Sequence, residues 1–261
     1  MEALGHLRTV LRHPSILRSY QPLLLISHMR ANTSLMGHIL GASPEIEGYY
    51  ELHIGYHSWR SLLRQKLVYF DQHTPKPHAR YMFDKVLTNQ HGVNTDVLRH
   101  GKMIFTLRPP ERTIRSIVNL YSAEFPDDPC ARVSGAIDYY VARLQTIGKI
   151  AAKTLTPFIY IDADALRDQT DTVLQALTSY LGLGRPLSAE YPTKPLTGQR
   201  RSGDSSPNIS LGRISGRQHD YSGIRIDESL LLPARTIFEQ VRHQLISHPL
   251  VVDTTLLEGE L

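Results

Sequence analysis

The chain has one cysteine, Cys130, among its 261 residues. One thiol can form neither an intramolecular disulfide nor a thiolate metal cluster, and a reducing compartment is the expectation. No stretch approaches the ~18 apolar residues that a membrane-spanning helix requires. The opening segment MEALGHLRTVLRHP mixes charged with apolar residues and lacks the apolar core of a secretory signal. A soluble, cytoplasmic protein is therefore expected. Strong charge of one sign is also missing: 29 Lys and Arg against 25 Asp and Glu leave a formal net charge of +4. The basic runs stop at Arg200–Arg201, so the stripe of a nucleic-acid binder is absent. Thirteen histidines show no HExxH or similar ligand spacing, and no metal is expected. The magnesium-nucleotide loop GxxxxGK[ST] is absent as well.

What remains is an ordinary globular composition, 41% hydrophobic and 21% charged, which fits one domain over 1–261. Residues 4–19 predict a short helix. The apolar run 22–26 predicts a strand buried on both faces. A polar loop, 27–32, leads into a helix whose apolar face is Leu35, Met36, Ile39 and Leu40, with Asn32 or Thr33 as its cap. Residues 46–56 predict a strand edge or loop, and 57–69 and 76–90 predict helices. A strand over 102–107 is followed by Pro109, Pro110 and a helix over 110–122. A long helix over 131–153, a strand over 156–161 and a helix over 166–181 come next. Residues 185–225, rich in Pro, Gly, Ser and Arg, predict a long functional loop. A helix over 227–247 precedes a frayed or docked tail. Repeated strand–helix units imply an α/β fold, three layers (α/β/α) around a central, mostly parallel sheet.

Two segments carry anion chemistry. The first is Ser27-His28-Met29-Arg30-Ala31-Asn32-Thr33-Ser34-Leu35, between a buried strand and a helix. A helix start offers free N–H groups and a positive dipole end. Thr33 and Ser34 add hydroxyls, and Arg30 adds a fork of donors matched to phosphate or sulfate oxygens. A hydroxyl at a helix start also serves as a plain cap; the arginine favours the anion. The second segment is Leu107–Ser116, LRPPERTIRS. It places Arg108 at a strand exit and Ser116 on the second turn of the next helix, beyond the carboxyl edge of a parallel sheet, where ligands of such folds bind. Arg112 and Arg115 read as solvated helix surface.

In order and spacing these segments resemble the sulfotransferase family that uses 3′-phosphoadenosine 5′-phosphosulfate, closest in style to bacterial enzymes of carbohydrates and small molecules. The family's phosphosulfate loop has the form RSGT[ST]; here it is Arg30-Ala31-Asn32-Thr33-Ser34, with Ala31-Asn32 in place of Ser-Gly. Its second motif runs from a strand-end arginine to a serine eight residues later, matched by Arg108 and Ser116. Phe83-Asp84-Lys85 is similar to its Asp-Lys pair, 159–183 to its later strand–helix segment, and 203–214 to the loop that closes over the nucleotide. The resemblance covers roughly 22–215.

The resemblance implies a P-loop-like nucleotide fold. It implies transfer of a sulfuryl group to a hydroxyl or amine of a glycan, lipid precursor or small metabolite, leaving adenosine 3′,5′-bisphosphate. Arg30, Ala31, Asn32, Thr33 and Ser34 would hold the 5′-phosphosulfate. Arg108 and Ser116 would hold the 3′-phosphate, joined by Arg200 or Arg201 from the late loop. Arg30 and Lys85 are the candidate catalytic cations. Glu51 is the first choice of general base, with Glu47 and His53 as alternatives, because period-two spacing puts all three on one face. Tyr49, Tyr50, Tyr56, Trp59, Tyr69 and Phe70 either line an acceptor cleft or belong to the core. A nucleotide-binding module without catalysis and an atypical P-loop kinase are the competing readings.

Overall fold

A computed structural model describes residues 10, 12, 14–195, 197–198, 208–216, 220–221 and 223–252. The strands are β1 Gln21–Ile26, β2 Ile46–Glu47, β3 Tyr81–Val86, β4 Lys102–Leu107, β5 Phe158–Asp162 and β6 Val251–Val252. The helices are α1 Thr33–Ala42, α2 Trp59–Phe70, α3 Pro110–Glu124, α4 Val133–Ala152, α5 Ala165–Asp168, α6 Thr170–Leu181 and α7 Glu228–Ile246. The sheet order is β2-β3-β1-β4-β5-β6. Every pairing is parallel.

The layering follows from β1. Side chains alternate across a strand. Leu24 and Ile26 pack with Ile114 and Ile117 of α3, Tyr140 and Leu144 of α4, and Phe238 of α7. Leu23 and Leu25 face the other way, against Leu35 and Ile39 of α1 and Val173 and Leu177 of α6. Both faces are covered, which is why this strand reads as an unbroken apolar run. A third cluster joins Tyr49, Leu52, Tyr69, Phe70 and Met82. Tyr49, Tyr69 and Phe70 are thus core, as is Tyr56 in the first cluster, and Trp59 is exposed.

The helix expected over 76–90 is instead β3, whose six residues are all buried. It runs in register with β1 from Gln21↔Tyr81 to Ile26↔Val86. Asp84 and Lys85 disguise it: two charged residues inside a central strand break the apolar pattern, and their compensation comes from distant segments. Between 46 and 56 only Ile46–Glu47 is strand, and Tyr56 forms an isolated bridge to Val93. The period-two grouping of residues 47, 51 and 53 therefore does not hold. The helix expected over 166–181 breaks at Gln169 into α5 and α6. The described part of the tail docks, as β6 pairs with β5, and 253–261 lie outside the described residues. Residues 4–9, 11 and 13 of the expected first helix lie outside the described residues, and Pro14–Leu17 form a 3-10 turn. Arg200, Arg201 and 203–206 of the late loop also lie outside them. Its described parts include a 3-10 turn, Ile209–Leu211, and a Glu190–Arg213 bridge. Among the described residues, no helix is long and apolar enough to cross a membrane.

One side chain ties the strand exits together. Arg143 of α4 is fully buried. Its Nε donates to the Ser27 carbonyl at 2.8 Å, its Nη1 to the Thr88 carbonyl at 3.3 Å, and its Nη2 to the Val86 carbonyl. These carbonyls lie at the ends of β1 and β3. Replacing Arg143 with Met keeps bulk but strands those acceptors. The expected loss is about 2–4 kcal/mol, read as a lower denaturant midpoint at unchanged slope.

Candidate active site

The parallel strands β1, β3, β4 and β5 release their following segments at one edge of the sheet. After β1 the backbone enters the left-handed region at Arg30 (φ 65°) and again at Asn32 (φ 55°). Such turns aim successive N–H groups toward one side and form anion-binding concavities. Asn is the residue other than Gly that best tolerates this conformation. Asn32 therefore keeps the geometry that a glycine would supply there. Asn32 occupies the N-cap position but makes no side-chain cap bond. Its Nδ2 donates instead to the Ala163 carbonyl at 2.7 Å, tying the loop to the exit of β5. The capping role expected for Asn32 is replaced by this tertiary one. Ala31, Thr33 and Ser34 are buried beside it.

The two anion segments converge. Arg30 Nε donates to Ser116 Oγ at 2.9 Å. Arg108 Nη1 donates to the Arg30 carbonyl at 3.2 Å. Ser116 Oγ donates to the Tyr221 hydroxyl at 2.9 Å, so the late segment reaches the same point. Arg108 is buried, and its Nε donates to Asp164 Oδ1 at 2.9 Å. Arg112 lies 3.7 Å from the same carboxylate, and Arg115 donates to the Ile224 carbonyl, so neither is simply solvated surface. Asp162 pairs with Arg242 at 2.7 Å. Asp162 at the end of β5 and Asp164 just after it thus face guanidinium groups.

The sequence alone points to no role for His28, and to Asp84 only as a partner through which Lys85 organises the site. His28 is fully buried; its Nε2 accepts the Arg108 amide at 3.0 Å, and its Nδ1 lies 2.9 Å from the Met29 carbonyl. That pairing selects a neutral ring with hydrogen on Nδ1, and burial pulls its pKa down to about 3. Asp84 Oδ1 accepts both the Leu52 amide (3.0 Å) and the Lys85 amide (2.7 Å), while Oδ2 accepts the Tyr56 hydroxyl (2.6 Å). Burial pushes its pKa up to about 7. One carboxylate oxygen therefore fixes Lys85 relative to the segment carrying Glu51. The Lys85 Nζ donates to Ser34 Oγ at 3.1 Å, linking β3 to the anion loop.

The base candidates separate. Glu51 is 9% exposed, and its Oε1 is buried without a hydrogen-bond partner. His53 Nδ1 lies 3.6 Å from that oxygen. Glu47 is fully buried elsewhere, accepting the Lys76 amide beneath Lys76 and Lys194.

The two perturbed groups make a pH prediction. Folded Asp84 keeps a proton that an unfolded aspartate loses above about pH 4, so its contribution weakens stability as pH rises to about 7. Folded His28 refuses a proton that an unfolded histidine takes below about pH 6.5, so its contribution raises stability over that window. The slopes oppose each other. Asp84→Asn removes the first, and its denaturation midpoint should climb more steeply than the wild type's between about pH 4 and 6.5. Asp84→Ala, which leaves three donors unmatched, should be destabilised throughout.

No protein-family model matches the sequence, and neither does any curated protein. Solved structures do match. The sulfotransferase domain from the curacin biosynthetic pathway aligns at a TM-score of 0.53 and 16% identity, covering 86% of this chain and 98% of that one. The sulfotransferase domain from the Synechococcus PCC 7002 olefin synthase aligns at a TM-score of 0.56 and 15% identity, covering 86% and 96%. The chain shares its α/β fold, a parallel sheet flanked by helices, with these sulfotransferase domains.

Proposed function

We propose that the protein is a sulfotransferase that moves a sulfuryl group from 3′-phosphoadenosine 5′-phosphosulfate to a hydroxyl or amine of a small metabolite, lipid precursor or glycan. The observation that carries this reading is the junction of Arg30, Ser116 and Arg108. It joins an anion loop to a second cationic site on a fold shared with sulfotransferase domains. A donor with phosphate at both ends of its ribose needs two such sites side by side. The left-handed Arg30 and Asn32 suit the phosphosulfate cradle.

When bound, the nucleotide supplies an activated sulfuryl group and a phosphate leaving group. The loop amides with Arg30, Thr33 and Ser34 hold the phosphosulfate. Lys85, already against Ser34, answers the charge that develops on the bridging oxygen. Arg108 and Ser116 bind the 3′-phosphate; Arg200 and Arg201, the further candidates for it, lie outside the described residues. Asp164 keeps the Arg108 guanidinium neutralised until an anion competes for it. Glu51, with its unpartnered oxygen, takes the acceptor's proton as the new O–S or N–S bond forms. His53 stands beside it as the alternative base. A kinase reading finds no GK[ST] loop.

Adenosine 3′,5′-bisphosphate should bind at least about tenfold tighter than AMP by calorimetry, since one charge-assisted pair supplies that factor. Arg108→Ala should erase the difference; equal binding of both nucleotides to the wild type would remove the second phosphate site. Glu51→Gln should leave bisphosphate binding intact and slow transfer by about 10² or more. Transfer at the wild-type rate would move the base elsewhere. Binding without transfer to any acceptor class would mark a non-catalytic module.

A further inference from the structure

We propose that Glu51, His53 and His91 form a binding site for a divalent transition-metal cation of the zinc class. One ligand atom from each lies within 4.8 Å of the others. Sequence spacing hides this set, because His91 comes from the connection after β3. The fold brings it in. Tyr56 N donates to the Gly92 carbonyl and Asn94 N to the Tyr56 carbonyl, each at 2.8 Å, so the 91–94 segment is laced to the one that ends at Tyr56. Leu52, between the other two ligands, is pinned by Asp84 at 3.0 Å. Both supporting segments are therefore held before any ion arrives.

A second observation points to a ligand. Glu51 Oε1 is buried and has no hydrogen-bond donor. A buried carboxylate oxygen left unmatched is costly, and a cation would compensate it. His53 is 55% exposed, giving an ion access from solvent. Two imidazoles and one carboxylate select zinc, cobalt or nickel over magnesium and calcium, which favour all-oxygen shells. Ligand atoms around tetrahedral zinc stand about 3.3 Å apart, so the widest pair here closes by at most about 1.5 Å through side-chain rotation. The Glu51–His53 pair already stands at 3.6 Å. Three protein ligands leave a fourth position for water.

The ion would take the same Glu51 oxygen that the sulfuryl-transfer reading uses as base, so the metal-loaded state and the proton-accepting state exclude one another, and the test keeps the two apart. The full chain is titrated with Co2+ and followed by the visible absorption of four- or five-coordinate cobalt. Zn2+ affinity is then measured by competition with a chromophoric chelator. Adenosine 3′,5′-bisphosphate binding is recorded on the same samples. One equivalent of metal is expected, with affinity reduced at least about tenfold in His91→Ala and in His53→Ala, and Mg2+ unable to displace it. Bisphosphate binding should be unchanged in both variants, which also reports that they are folded. Failure to bind Co2+ or Zn2+, or binding that survives both histidine substitutions together, would overturn the proposal. Loss of bisphosphate binding in the wild type would instead strike the transfer reading.

Discussion

The buried carboxylate of Asp84 sets the geometry on which the site depends. It lies in a central strand, where a charge is expensive, yet it accepts donors from three places: Leu52, Tyr56 and its own neighbour Lys85. The segment after β2 has almost no regular structure, so no ladder would otherwise hold Glu51 at a fixed distance from Lys85. The burial that pushes the pKa of Asp84 up is the cost of that arrangement. Arg143 does the complementary work on the carbonyl side, gathering the ends of β1 and β3 from the helical layer.

The 30–34 loop is fixed by contacts outside itself. Arg30 is turned into Ser116, its carbonyl is held by Arg108, and Asn32 is anchored across the sheet at Ala163. The Ala31-Asn32 pair keeps the left-handed turn. Asn supplies both the backbone conformation and a side-chain tether that glycine lacks. His28 is a neutral strut beneath Arg108, kept neutral by its own burial.

Much of this was legible in the amino-acid sequence, for identifiable reasons. The strand over 22–26 announced itself because both its faces are covered. The Arg30–Ser34 loop and the Arg108–Ser116 pair were legible because local spacing at strand–helix junctions constrains where such residues can point. The three-layer parallel architecture followed from repeated strand–helix units. β3 was misread because its two charged residues carry a polarity signal that only distant partners explain. The grouping of Glu47 with Glu51 and His53 failed because period-two reasoning needs a continuous strand, and β2 stops at Glu47.

The sequence by itself determined the elements whose pattern is local: the buried strand, the polar loop before α1 and the arginine–serine spacing. Tertiary structure alone decided which of them meet. Hydrogen bonds from Arg30 to Ser116, from Leu52 to Asp84 and from Lys85 to Ser34 span between 32 and 86 positions of chain. No local periodicity encodes contacts of that range. They arise because parallel strands deliver their carboxyl ends to one edge, so residues distant in sequence share one small volume.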